Sequence, residues 1–185
     1  MVDLAERVQK NVTREQMATA PVRLSLEEFH SRYAGEKPYY EYWFGEAVQK
    51  SVGTLSHGIL QLIVGELLRR AGYKVAAELE LRIDPQWEPV PDVAAWLRRI
   101  AGRYPTEPID VVVEILSPED RMSHVMSKCG HYERIGIQQI FVLDPEEKKG
   151  WQWSKGSLES VTVLHLKNGN AIDLTEVWKR LDEES

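Results

Sequence analysis

The chain has 185 residues, enough for one domain with a real apolar interior, and its 43% hydrophobic and 28% charged residues are ordinary globular values. A formal net charge of −6 argues against a protein that binds nucleic acid chiefly by neutralising phosphates, because that mode needs a basic face that releases counterions. No stretch approaches the roughly 20 unbroken apolar residues of a membrane-spanning helix, and the N-terminus mixes Asp3, Glu6, Arg7 and Lys10 where an export signal would be basic and then apolar, so a cytoplasmic location with no membrane partner is expected.

Residues 1–21 are polar and weakly patterned and read as a mobile or loosely docked arm, ahead of a single domain over 22–185. Ser25 to Glu28 carries the signature of a capping box opening a short helix. Trp43 to Ser51, rich in aromatic and β-branched residues, suggests a strand or hairpin. From Thr54 to Arg70, Leu55, Ile59, Leu62, Ile63 and Leu67 recur at helical spacing, and Ala71-Gly72 supplies the stop. Three strand-like runs follow, Lys74 to Ile83, Val90 to Leu97 and Ile109 to Leu116, divided by Asp84-Pro85 and by the loop from Gly102 to Pro108. Met122, Val125, Met126, Cys129, Tyr132 and Ile135 then form an apolar helical stripe ending at Gly136. Gln139 to Leu143 reads as a buried strand, two strands near Trp151 and Val161 to Leu166 as an antiparallel tail, and Leu174 to Leu181 as a last helix. This order gives a mixed α/β domain built around one sheet. Cys129, the only cysteine, can form no internal disulfide and reads as a packing residue.

Polar residues interrupt these patterns at three places where the interior should be apolar: Asp92 after Pro91, Glu114 after Val111 to Val113, and Lys128 within the helical stripe. A carboxylate on a buried strand is penalised unless something positive faces it. Two carboxylates on neighbouring strands offer hard oxygen ligands to magnesium, which acidifies a bound water, while an ammonium nearby holds that water or stabilises charge on phosphoryl oxygens. Each residue alone has a plainer reading: Asp92 as a turn former, Glu114 as a strand-end ion-pair partner, Lys128 as a solvated helix residue. The case rests on their order and spacing.

That order resembles the Uma-two family of endonucleases, within the PD-D/E-x-K superfamily. The resemblance runs from about Tyr39 to Pro145: Tyr40-Glu41, Gly45-Glu46, Ser56-His57, Pro91-Asp92, Glu114-Ile-Leu-Ser-Pro, Lys128, Tyr132, and Gly136 through Asp144-Pro145. It implies a restriction-endonuclease-like α/β (α+β) core, with a mixed central sheet flanked by helices and an antiparallel C-terminal extension. It also implies a magnesium- or manganese-dependent nuclease acting on DNA, with RNA as an open alternative. Asp92, Glu114 and the backbone carbonyl of Ile115 would be the metal ligands and Lys128 the catalytic lysine. In the superfamily's plain form the lysine stands two residues after the glutamate, where this chain has Leu116. The chain also departs from the family at Trp43-Phe44, usually an apolar-acid pair, and at His124, commonly an aspartate.

Helix geometry restricts the lysine. A helix running from Ser117 would carry Lys128 about 16 Å along its axis, at about 1.5 Å per residue. Ser117 to Asp120 is therefore expected to be a turn, with Ser123 as N-cap and Lys128 within the first two turns; Ser117 as N-cap with Pro118 next is the second choice. Accessory candidates are His57, facing the site from the long helix, His124 one turn before the lysine, and either Glu46 or Glu80 as a fourth ligand. Glu41, Glu66 and Glu78 read as ordinary surface or helix acids, and His30, His131 and His165 show no metal-ligand spacing. Arg98 and Arg99 are candidates for nucleic-acid backbone contact. A homodimer through the aromatic strands, a non-catalytic nucleic-acid-binding or protein-interaction module on the same fold, and a structural ion-pair network are the remaining expectations.

Overall fold

The computed structural model describes residues 23–35, 37, 39–51 and 53–185; the arm expected at 1–21 lies outside them. Helix α1 (Leu26–Tyr33) opens with the expected capping box, in which the Glu28 N–H donates to Ser25 Oγ and the Ser25 N–H donates to Glu28 Oε2 at 2.8 Å. Strands β1 (Tyr40–Trp43) and β2 (Glu46–Gln49) form a hairpin around Phe44-Gly45, whose φ angles of 49° and 96° are the paired positive values that a tight two-residue hairpin turn demands. Helix α2 (Leu55–Arg70) is capped by Thr54 Oγ1, which accepts from the His57 N–H at 3.2 Å.

The next strands are shorter than their sequence runs. Strand β3 (Lys74–Ala77) stops because Glu78 turns into the left-handed region at φ 51°. Two residues of the following stretch, β4 (Trp87–Glu88), pair with β1. Strand β5 (Val93–Trp96) begins only after Pro89 and Pro91, which have no N–H to give to a ladder. Then come β6 (Val111–Ile115), α3 (Met122–Arg134), β7 (Gln139–Asp144), β8 (Lys149–Ser154), β9 (Ser157–Val161), β10 (Val163–His165), β11 (Ala171–Asp173) and α4 (Leu174–Glu184). The large sheet has the order β3-β5-β6-β7-β8-β9. Its β6–β7 pair is parallel, joined through α3, and the other pairs are antiparallel. The fold is thus a mixed central sheet flanked by helices, with an antiparallel C-terminal extension. Among the described residues, no helix is long and apolar enough to cross a membrane.

Side-chain alternation on β6 sorts the core. Val111, Val113 and Ile115 pack toward α2 and α4 with Leu60, Ile63, Val64, Val177 and Leu181, whereas Val112 packs toward α3 with Val125, Cys129 and Tyr132. Glu114 shares the Val112 face, so the strand period alone aims it at α3. That helix carries Val125, Lys128, Cys129 and Tyr132 on its buried side, and burial pushes the Cys129 thiol up to about 12, consistent with a packing role.

The start of α3 needs one correction. Ser117 to Asp120 is a turn, as expected: the Ser117 N–H donates to Asp120 Oδ2 at 2.8 Å and the Asp120 N–H to the Ser117 carbonyl at 2.9 Å. The N-cap is Arg121, without a side-chain cap bond, and not Ser123. The closed turn ends at Asp120, and the Arg121 carbonyl already accepts from His124 and Val125, so the helix begins at once.

Gly150 on β8 marks where α4 meets the sheet. A Cβ there would run into Leu174 Cδ1 and come within 3.1 Å of Leu143 Cδ2. Gly150→Ala is expected to destabilise the protein by about 1–3 kcal/mol through overpacking, read as a lower urea midpoint; an unchanged midpoint would show that α4 can yield at this contact.

Candidate active site

Extending the β5–β6 register by one residue beyond the Val93–Val113 pair sets Asp92 opposite Glu114. Both side chains are buried, at 4% and 8% exposure, and both line a cleft of about 330 Å³ with Glu41, Lys50, His57, Ile115 and Lys128. The three residues expected to carry chemistry are therefore neighbours, although 14 and 22 positions separate them in sequence.

Two buried ammonium groups organise the cluster. Lys128 Nζ lies 2.9 Å from Glu114 Oε2 and 2.8 Å from Glu41 Oε1. Lys50 Nζ lies 2.9 Å from Asp92 Oδ1, 2.9 Å from Glu78 Oε2 and 2.7 Å from the Val90 carbonyl. The remaining acceptors are also engaged. Tyr132 Oη donates to Glu114 Oε1 at 2.6 Å, the Ile115 N–H donates to Asp92 Oδ2 at 2.7 Å, and the Val90 N–H and Trp43 Nε1 donate to Glu41 at 2.8 and 3.0 Å. His57 Nε2 stands 3.4 Å from Asp92 Oδ2.

Burial and charge pull against each other throughout the cluster. Burial pushes Glu114 up to about 7, and Lys128 opposes the rise without cancelling it, while the charges of Asp92 and Glu41 add to it. For Asp92 burial is outweighed by Lys50 and His57, which hold its carboxyl well below the usual range. Glu41 is likewise held low, because Lys128 and Lys50 overcome its burial. Burial would lower Lys128, but Glu114 and Glu41 reverse that and hold it above the ordinary lysine range. His57 is raised because Asp92 outweighs the effect of burial.

A divalent cation fits this donor set. Asp92 and Glu114 supply hard oxygens from adjacent strands. Extending the β5–β6 register two residues beyond Val93–Val113 sets Pro91 opposite Ile115, and a proline has no N–H to occupy the Ile115 carbonyl from that side. The family resemblance implied the Ile115 carbonyl as a third oxygen, and Ile115 does line the cleft.

Other expected residues lie apart from the cluster. Glu46 is exposed on β2 and does not line the cleft. Glu80 sits with His30 and Glu88, the one group of three histidine and carboxylate donors within 4.8 Å of one another among the described residues. There His30 Nε2 approaches Glu88 Oε2 at 2.6 Å and Arg82 Nε donates to Glu80 at 2.7 Å, so His30, expected to have no such company, does have acidic partners. Arg98 and Arg99 follow the opposite end of β5 from Asp92, roughly 20 Å away at ~3.3 Å per strand residue, and Arg98 is tied to Glu107 and the Pro108 carbonyl. The exposed basic groups at the cleft are instead Arg121 and His124, with His124 stacked on Trp43 at 4.7 Å.

Glu41 and Glu78 are not the surface acids expected, since they hold Lys128 and Lys50. Glu41 had a signal, an acid alternating with aromatic residues on a strand, and so did Tyr132, one turn after Lys128 on the buried stripe. Lys50 had none, because its partners lie 28 and 42 residues away.

Residues 26–181 match the Uma2 family, described as "putative restriction endonuclease". The chain belongs to that family. A similar solved structure is the crystal structure of a "putative nuclease belonging to DUF820" from Anabaena variabilis, with a TM-score of 0.73 at 19% identity over 85% of this chain and 99% of that one. This likeness shows the shared fold. The DrdV–DNA complex aligns at a TM-score of 0.37 and 12% identity over 67% of this chain and 10% of that one, too slight for any conclusion. No curated protein matches the chain.

Lys128→Met removes the cation shared by Glu41 and Glu114. In the metal-free protein it is expected to cost about 3–5 kcal/mol near pH 8. Without Lys128 both acids would have folded-state pKa values above their unfolded ones, so the folded state binds protons more tightly and loses stability as pH rises through the folded value. The deficit relative to the parent is therefore expected to shrink toward about pH 5, measured by denaturant unfolding in chelator. An equal deficit at both pH values would mean that lost packing, not uncompensated charge, is what the variant feels.

Proposed function

We propose that the protein is a metal-dependent nuclease that hydrolyses phosphodiester bonds in DNA. The observation that carries this reading is the pairing of Asp92 with Glu114 across adjacent strands at a cleft, with the Lys128 ammonium 2.9 Å from Glu114.

Asp92, Glu114 and the Ile115 carbonyl would hold one magnesium or manganese ion. Bound there, the ion polarises phosphoryl oxygens and acidifies water. Lys128 is fixed between Glu114 and Glu41, so its ammonium is positioned to orient the attacking water or to face the charge that grows on the phosphoryl oxygens. Tyr132 pins the other oxygen of Glu114 and limits its rotation. Water gives up a proton to solvent and forms the new bond to phosphorus as the bond to the leaving sugar oxygen breaks, and that oxygen takes up a proton from solvent, so that one water is added in all. Arg121 and His124 at the cleft are placed to meet the phosphate backbone.

A second reading, a purely structural ion-pair network, draws on the pairing of each lysine with two carboxylates. It requires no metal and no substrate, and Asp92→Asn and Glu114→Gln separate the two. On the nuclease reading each lowers manganese-dependent cleavage of plasmid DNA at least about a thousandfold, or ~4 kcal/mol of transition-state stabilisation, with little change in folding. Manganese also raises the melting temperature of the parent and not of the double variant, as for any ligand of the native state alone. Parent protein that neither cleaves nor shifts with manganese would favour the structural network.

A further inference from the structure

Lys50 is the residue of the cleft that neither the strand pattern nor the proposed chemistry requires. It follows the β1–β2 hairpin, its side chain is 13% exposed, and its three ammonium protons are matched by three acceptors: the Val90 carbonyl, Asp92 Oδ1 and Glu78 Oε2. Glu78 is brought there by its left-handed backbone, and Gln61 from α2 fixes it, with Gln61 Nε2 donating to Glu78 Oε1 at 3.2 Å and to the Asp92 carbonyl at 2.7 Å. This is a built enclosure and not a surface lysine that happened to fold over.

We infer that Lys50 is a fixed internal cation filling the charge role of a second divalent ion, so that the cleft takes one metal ion per chain. The inference rests on the nuclease reading and specifies its metal stoichiometry.

Charge supplies one line of argument. The acids gathered at the two ammonium groups are Asp92, Glu114, Glu41 and Glu78, and the ammonium groups are Lys50 and Lys128. These four carboxylates outnumber the two ammonium groups, and a divalent ion at the Asp92–Glu114 pair would offset part of that excess. Glu119, Asp120 and Arg121 at the rim are exposed, where water and salt screen them. Without Lys50 the four carboxylates would share one ammonium group, and a second ion would be favoured.

Geometry supplies the other. A carboxylate has about four acceptor sites. On Asp92, Lys50 takes one at Oδ1, while the Ile115 N–H takes one at Oδ2 with His57 beside it. What remains suits one bond to a metal. A pair of metals about 3.5–4 Å apart needs a carboxylate that binds both ions, and Lys50 occupies the other site on Oδ1, the one a second ion would need.

The test is manganese binding to the full chain, counted by calorimetry and by the paramagnetic resonance of unbound manganese. The parent is expected to bind one ion per chain at the cleft, lost in Asp92→Ala, and Lys50→Met to bind two. One ion of unchanged affinity in Lys50→Met would overturn the inference. Two ions in the parent, both lost in Asp92→Ala, would overturn it while leaving the nuclease reading in place, and that arm decides even where Lys50→Met does not fold. A parent that binds no manganese would remove both.

Discussion

A carboxylate buried on a sheet strand is penalised by several kcal/mol of lost hydration unless a cation and hydrogen-bond donors stand against it. Glu114 imposes that condition at the end of β6, and three neighbouring elements shape how it is met. Lys128 and Tyr132 approach from α3, Glu41 steadies Lys128 from β1, and Asp92 faces Glu114 from the start of β5 with its own cation, Lys50. The parallel β6–β7 connection through α3 has a functional consequence in this setting: it lays the buried side of the helix over the strand face that Glu114 occupies.

The cluster is tightly satisfied, yet Glu114 is still pushed up to about 7 by burial and neighbouring acids. The two lysines are outnumbered by Asp92, Glu114, Glu41 and Glu78. A group of four acids and two ammonium ions built only for stability gains little, since buried ion pairs are often no better than well-packed apolar residues. An excess of carboxylates over ammonium groups at an accessible cleft is what the proposed divalent-ion chemistry would use.

Much of this was legible in the sequence, and for identifiable reasons. The Val111 to Val113 run fixed β6 and exposed Glu114 as an intrusion, and the stripe of Val125, Cys129 and Tyr132 carried Lys128 on its buried side. The length of the segment from Ser117 to Lys128 required a turn before α3. What was not legible depended on partners distant in the chain or on backbone choices without a local marker. Glu78 in the left-handed region and Lys50 reaching Asp92 across 42 residues are both settled by tertiary packing. Local capping rules also misled at Ser123, where the preceding turn had already delivered the chain into a helical course.

The central claim is that Asp92, Glu114 and the Ile115 carbonyl form a metal centre and not an ion-pair scaffold. Crystals of the protein soaked in manganese, with anomalous scattering collected at a wavelength where manganese is the dominant signal, test it directly. The account predicts an anomalous peak in contact with both carboxylates and that carbonyl, with Lys128 still on Glu114. A fully occupied peak elsewhere, such as at His30, Glu80 and Glu88, with none between Asp92 and Glu114 would contradict it.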